Sequence, residues 1–90
     1  MNLDELRNRI DAYNQELVGL LGKRIETARE IARVKKQENL SILDTGRERE
    51  IKDKMRQLAR KNRISPAFIE DLFDLLLDYS RLEMEIEAAK

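Results

Sequence analysis

From Asp4 to about Glu38 no proline interrupts the chain, and one helix over that span is about 50 Å long. Leu3, Leu6, Ile10, Tyr13, Leu17 and Leu20 recur there at alternating three- and four-residue steps, the stripe of an amphipathic helix facing a partner. A compact monomer of 90 residues is only about 30 Å across, so this helix overhangs such a body and leaves its stripe wet. A second copy packed along it removes the conflict. The length therefore predicts an all-α fold, three helices per chain with a long first helix, assembled as an intertwined homodimeric bundle. An isolated coiled coil fits less well, because Arg24 and Thr27 break the heptad pattern.

Continued toward the C-terminus, the same stripe reads Arg24, Ala28, Ile31 and Lys35. Positions 24 and 35 differ by about 20° around a helix and lie roughly 16 Å apart along it. Two cations thus point inward where apolar residues belong. Buried unpaired charge is costly, so they demand something negative, either carboxylates of the protein or an anionic ligand. Gly19 and Gly22 weaken the helix by about 1 kcal/mol each, which suggests close approach of another backbone.

A loop is expected around residues 39–44. Thr45, Gly46, Arg47 and Glu48 fit a Ser/Thr-x-x-Glu capping box, with Asp44 as the competing N-cap. The second helix then runs to about Asn62, with Glu48, Ile51, Met55 and Leu58 on one face. Ser65-Pro66 starts the third, serine as cap and proline at the first helical position. That helix turns Ile69, Leu72, Phe73, Leu76, Ser80 and then Met84 inward, and reaches nearly to Lys90. Outer residues such as Arg56, Lys61 and Glu87 read as solvent-facing.

The 90 residues make one domain, 1–90. There is no cysteine and nothing like a signal peptide, which fits a reducing cytoplasm. No apolar run approaches the roughly 20 residues of a membrane span. Eighteen cations balance eighteen acids, so no net field favours nucleic acid or an anionic membrane. With no histidine or cysteine, a zinc site lacks its usual ligands. Any enzyme built on this chain works without His, Cys or metal.

Several pieces recur in one order: Leu6-Arg7-x-x-Ile10-Asp11, Leu20-Leu21-x-x-Arg24 with Ala28, Val34-Lys35, the run Asp44 to Glu50, and Phe73 through Ser80. No single piece is specific. The ordered set, over essentially the whole chain, resembles the all-helical chorismate mutases. The resemblance implies an intertwined dimer with two equivalent sites, converting chorismate to prephenate without a cofactor in the shikimate pathway toward aromatic amino acids. It implies that Arg24 and the partner's Arg7 grip the two substrate carboxylates. Lys35 contacts a carboxylate and the ether oxygen, Asp44 and Glu48 hold the ring-hydroxyl region, and Ser80 bonds a carboxylate. Arg47 is expected to support Glu48 or the loop rather than touch substrate. Arg7 lies about 25 Å along the helix from Arg24 and about 100° around it, so only a partner chain can deliver it.

Met84 departs from the pattern, since the family usually has a glutamine there to donate a second hydrogen bond to the ether oxygen; a thioether cannot donate. Each residue also has a plainer reading. Arg24 or Lys35 is a snorkelling or paired charge, Asp44 a cap, Ser80 a hydroxyl bonded back one turn, Met84 core filler, and Arg7 a solvated charge. Two alternatives follow: an isochorismate-pyruvate lyase of the same fold, or a non-catalytic helical dimerisation or regulatory module with its site degraded at Met84.

Overall fold

A computed structural model describes all 90 residues as three helices: α1 (Leu3–Gln37), α2 (Thr45–Lys61) and α3 (Pro66–Ala88). Asn2 caps α1, its side-chain oxygen accepting from the Glu5 N–H at 2.8 Å, with Asp4 and Glu5 in the first turn and Lys35 and Lys36 in the last. Both signs suit the helix dipole. The chain leaves α1 through Asn39 at φ 56°, and the Leu40 N–H donates to the Lys35 carbonyl at 2.8 Å. Arg63 ends α2 in the same way, at φ 59°, with the Ile64 N–H donating to the Ala59 carbonyl at 2.9 Å. These left-handed closures satisfy carbonyls that the helix ends leave free.

Of the two competing caps on α2, Asp44 holds the position: its Oδ1 accepts from the Arg47 N–H at 3.0 Å. The Thr45 capping box does not form, because Thr45 is already the first helical residue. Glu48 is therefore released from capping and free to project from the helix. Ser65 and Pro66 start α3 as expected, the Ser65 hydroxyl accepting from the Phe68 N–H at 3.3 Å.

Helix α3 is the central element and packs on both others, which do not pack on each other. The partners Arg24–Ser80, Arg29–Glu83 and Arg33–Glu87 advance together, so α3 runs parallel to the second half of α1. Lys52–Asp74 and Arg56–Glu70 run in opposite senses, so α3 is antiparallel to α2. Arg56 and Glu87, read from the sequence as solvent-facing, are thus interhelical partners. A charged residue at a helix margin reaches across the seam and keeps its stem packed.

The tightly packed seam of α1 is Ile25, Ala28 and Ala32, against Leu77, Ser80 and Met84 of α3. It is rotated slightly from the expected Arg24–Ala28–Ile31–Lys35 stripe. Small side chains let the two backbones come close, and Arg24, Ile31 and Lys35 fall on the margin of that seam.

Residues 1–23 are exposed throughout, and the molecule measures 55 × 26 × 15 Å. The stripe from Leu3 to Leu20 is left uncovered by the rest of the chain, with Ile10 58% and Leu17 59% exposed. The close approach expected at Gly19 and Gly22 is not made within one chain, where a Cβ at either position meets nothing within 4 Å. No helix is long and apolar enough to cross a membrane.

Candidate active site

The three helices enclose a cavity of about 620 Å³. Arg24 and Lys35 reach it from α1, Glu48 from α2, and Ser80 and Met84 from α3, with Asp44 at the α2 N-terminus. All six sequence-derived candidates of one chain meet on its wall. Arg7 does not; it lies on the overhanging half of α1.

Arg24 is half-buried and donates through Nη1 to the Ser80 hydroxyl at 2.5 Å; that hydroxyl in turn donates to the Leu76 carbonyl at 2.7 Å. The plain reading of Ser80, bonded back one turn, therefore holds, and the same hydroxyl still accepts from Arg24. The back-bond turns the oxygen's lone pairs toward Arg24. Lys35, also half-buried, donates through Nζ to the Ile42 carbonyl at 3.0 Å, a neutral partner supplied by the α1–α2 loop.

Six cations of the chain are half-buried: Arg24, Arg29, Lys35, Lys52, Arg56 and Arg81. Arg29, Lys52, Arg56 and Arg81 each meet a carboxylate across a helix interface. Arg24 and Lys35 meet none; only neutral oxygens face them. Desolvated charge is ordinarily neutralised in this way, so the two exceptions leave positive charge on the cavity wall that an anion could meet. Lys23, Arg47 and Arg81 also line the cavity, five cations against the acids Asp44 and Glu48.

Arg47 does not support Glu48; its Nη1 pairs with Glu50 at 3.1 Å. The support comes from Arg81, whose Nε donates to Glu48 Oε2 at 2.7 Å. That bond and its charge raise the Arg81 pKa above the ordinary arginine value, with Asp78 adding to the effect. Sequence reasoning missed Arg81, one of many arginines on a helix margin. Its only signal was adjacency to Ser80. Met84 is 8% exposed and packs with Ala28, Ala32 and Ile42, so it fills core and borders the cavity at once.

The cavity suits a small, flexible dianion: two separated cations without counter-ions, a hydroxyl, two acids for a polar far end, and apolar walls from Leu20, Ile31, Ile51 and Leu77. Comparison with known proteins converges on the same chemistry. The chorismate mutase of Methanocaldococcus jannaschii is 27% identical over 79 residues, covering 88% of this chain and 80% of that protein. The bifunctional chorismate mutase/prephenate dehydratase of Escherichia coli K12 is 29% identical over 80 residues, 89% of this chain but 21% of that protein. The T-protein of Haemophilus influenzae is 37% identical over 70 residues, 78% of this chain and 19% of that protein. The chain thus spans about a fifth of the two longer relatives. A family model described as chorismate mutase type II matches residues 6–85, which include α2, nearly all of α1 and α3, and every residue on the cavity wall. By sequence, helical architecture and the chemistry of its cavity, the chain belongs to the chorismate mutase type II family.

Proposed function

We propose that the chain is a chorismate mutase, rearranging chorismate to prephenate inside a homodimer. The observation that carries the reading is the pair of half-buried cations, Arg24 and Lys35, left without carboxylates while their half-buried counterparts are paired.

The reaction is an intramolecular Claisen rearrangement: an ether C–O bond breaks as a C–C bond forms, with no proton or electron exchanged. It needs no nucleophile, base or metal. What the protein supplies is conformation and charge. Chorismate must be held in a compact chair, and cations clamping its two carboxylates pre-order that geometry. Arg24, braced by Ser80, grips one carboxylate, and the partner subunit's Arg7 grips the other. Negative charge grows on the ether oxygen as the C–O bond lengthens. The Lys35 ammonium, fixed by Ile42, stabilises that charge more in the transition state than in the ground state. Glu48 and Asp44 hold the ring-hydroxyl end. Lys35 works on the ether oxygen without a donor from position 84, where Met84 offers only sulfur.

Two features support the dimer. Only seven of the 90 residues are buried, three of them alanines, too small a core for an independent chain of this length. The uncovered Leu3–Leu20 stripe is the surface that a second α1 would bury, at about 1.5–3 kcal/mol for each large side chain. A single domain acting in the cytoplasm fits the cysteine-free composition.

The test is conversion of chorismate by purified protein, with the product identified by chromatography. Prephenate formation lost in Lys35→Ala supports the reading. An inactive wild type, or an unimpaired Lys35→Ala, refutes it.

A further inference from the structure

Arg81 stands behind Glu48 and leaves that carboxylate with one committed and one free oxygen. Its Nε donates to Glu48 Oε2 at 2.7 Å, and its Nη2 is engaged by Asp78 one turn back on α3. The planar guanidinium is thus tied at both ends by charge-assisted bonds and holds α2 and α3 in register at the cavity wall. Glu48 Oε1 accepts no bond from the chain. Glu48 belongs to no capping box, because Asp44 caps α2, so nothing other than Arg81 fixes the direction of its carboxylate. Without that tie a glutamate side chain samples several rotamers, and an acceptor for one particular hydroxyl has no defined place.

We infer that Arg81 is a positioning residue, which fixes the Glu48 carboxylate so that Oε1 accepts the hydrogen of the substrate's ring hydroxyl and makes that hydroxyl a requirement of the site. The inference rests on the mutase reading and deepens it. The specificity has a physical source: a half-buried acceptor held in place stays unpaired when a substrate analogue lacks the hydroxyl, and such a site discriminates between them. Arg81 lines the cavity, but its Nε and Nη2 are committed to Glu48 and Asp78, so its role runs through Glu48. Its two bonds would both have to break for it to swing inward.

The experiment is a double-mutant cycle on the full-length chain with chorismate. Arg81→Ala should lower kcat/KM about ten- to hundredfold, the range for one hydrogen bond to a charged group, with the circular-dichroism melt little changed. Arg81→Lys, which keeps charge but not the fork, should recover part of the loss. In a Glu48→Gln background, the further change Arg81→Ala should cost less than about threefold, because the carboxylate it positions is gone. An analogue lacking the ring hydroxyl should be bound equally by wild type and Arg81→Ala. Losses that multiply in the double variant, or an undiminished rate in Arg81→Ala, overturn the inference. Should Arg81→Ala fail to fold, Arg81→Gln keeps the stem and carries the same expectations. A wild type that leaves chorismate unchanged overturns the mutase reading itself and this inference with it, a result visible before any Arg81 variant is made.

Discussion

Arg24 and Ser80 meet across the parallel α1–α3 seam with 2.5 Å between Nη1 and Oγ, and no carboxylate answers the guanidinium. The hydroxyl orients the cation without neutralising it. Eleven residues along the same helix, Lys35 is held in the same manner by a backbone carbonyl. Charge is thus positioned but left uncompensated, which suits a site whose counter-ion arrives as substrate.

Lys35→Ala is expected to lower kcat by at least about 10²–10³, the scale for removing one electrostatic donor at a developing oxyanion. Stability should respond in the opposite sense. Lys35 is half-buried with no carboxylate to meet it, so removing its charge relieves a desolvation cost and the melting temperature of the ligand-free variant should hold or rise. Ultraviolet absorbance of chorismate and thermal melts check both on one sample. A large drop in melting temperature would show that Lys35 serves the fold.

Met84→Gln separates activity from stability. A side-chain amide at position 84 adds a donor to the cavity, so kcat should rise. The same amide must replace a thioether packed on Ala28 and Ala32, and stability should fall by about 1–3 kcal/mol where the amide stays unpaired. Steady-state kinetics beside urea titrations distinguish the two effects. An unchanged or lower kcat would mean that the ether oxygen lies out of reach of this position.

Subunit complementation tests the donated arginine. Arg7→Ala and Lys35→Ala homodimers should each be nearly inactive. Mixed dimers rebuild one intact site from the Lys35 of one subunit and the Arg7 of the other. With random exchange, half of the dimers are mixed and half of their sites are intact, so about a quarter of wild-type activity should return. No recovery, despite subunit exchange confirmed by native mass spectrometry, would place Arg7 outside the site. Leu17→Glu should prevent dimerisation altogether, seen as a shift in sedimentation velocity.

Acid should open the α1–α3 seam. Hydrogen bonds from Tyr79 and then Arg29 hold Glu83 below the usual carboxylate range, and Lys90 with Arg33 does the same for Glu87. A carboxylate whose pKa is lowered by folding contributes stability above its unfolded pKa, near 4.3, and loses it as pH falls through the folded value. Melting temperature should therefore be level between about pH 6 and 8, where no histidine titrates, and fall below about pH 4. The double variant Glu83→Gln, Glu87→Gln should melt lower at pH 7 with a flatter acid limb. An unchanged acid limb would place the sensitivity in other carboxylates.

The long helix, its overhang and the two inward cations were legible because each depends on spacing along one helix. The start of α3 was legible from Ser65 and Pro66. Rotation between helices was not. The packed seam turned out to be Ile25, Ala28 and Ala32, because close approach to α3 selects small residues over the wider stripe. Leu77 was missed for a related reason: α3 serves two neighbours, so its buried arc is broader than one stripe. The Arg81–Glu48 pair spans 33 residues and two helices, and no local pattern fixes which of several arginines faces which acid. The cap on α2 was open between Asp44 and Thr45, and only backbone geometry decides it.

The most direct test of the central claim is the fate of chorismate with purified wild-type protein, its products resolved by chromatography, run beside Lys35→Ala. Prephenate should be the sole product of the wild type and should be lost in the variant. Salicylate with pyruvate, or chorismate returned unchanged, would contradict the claim.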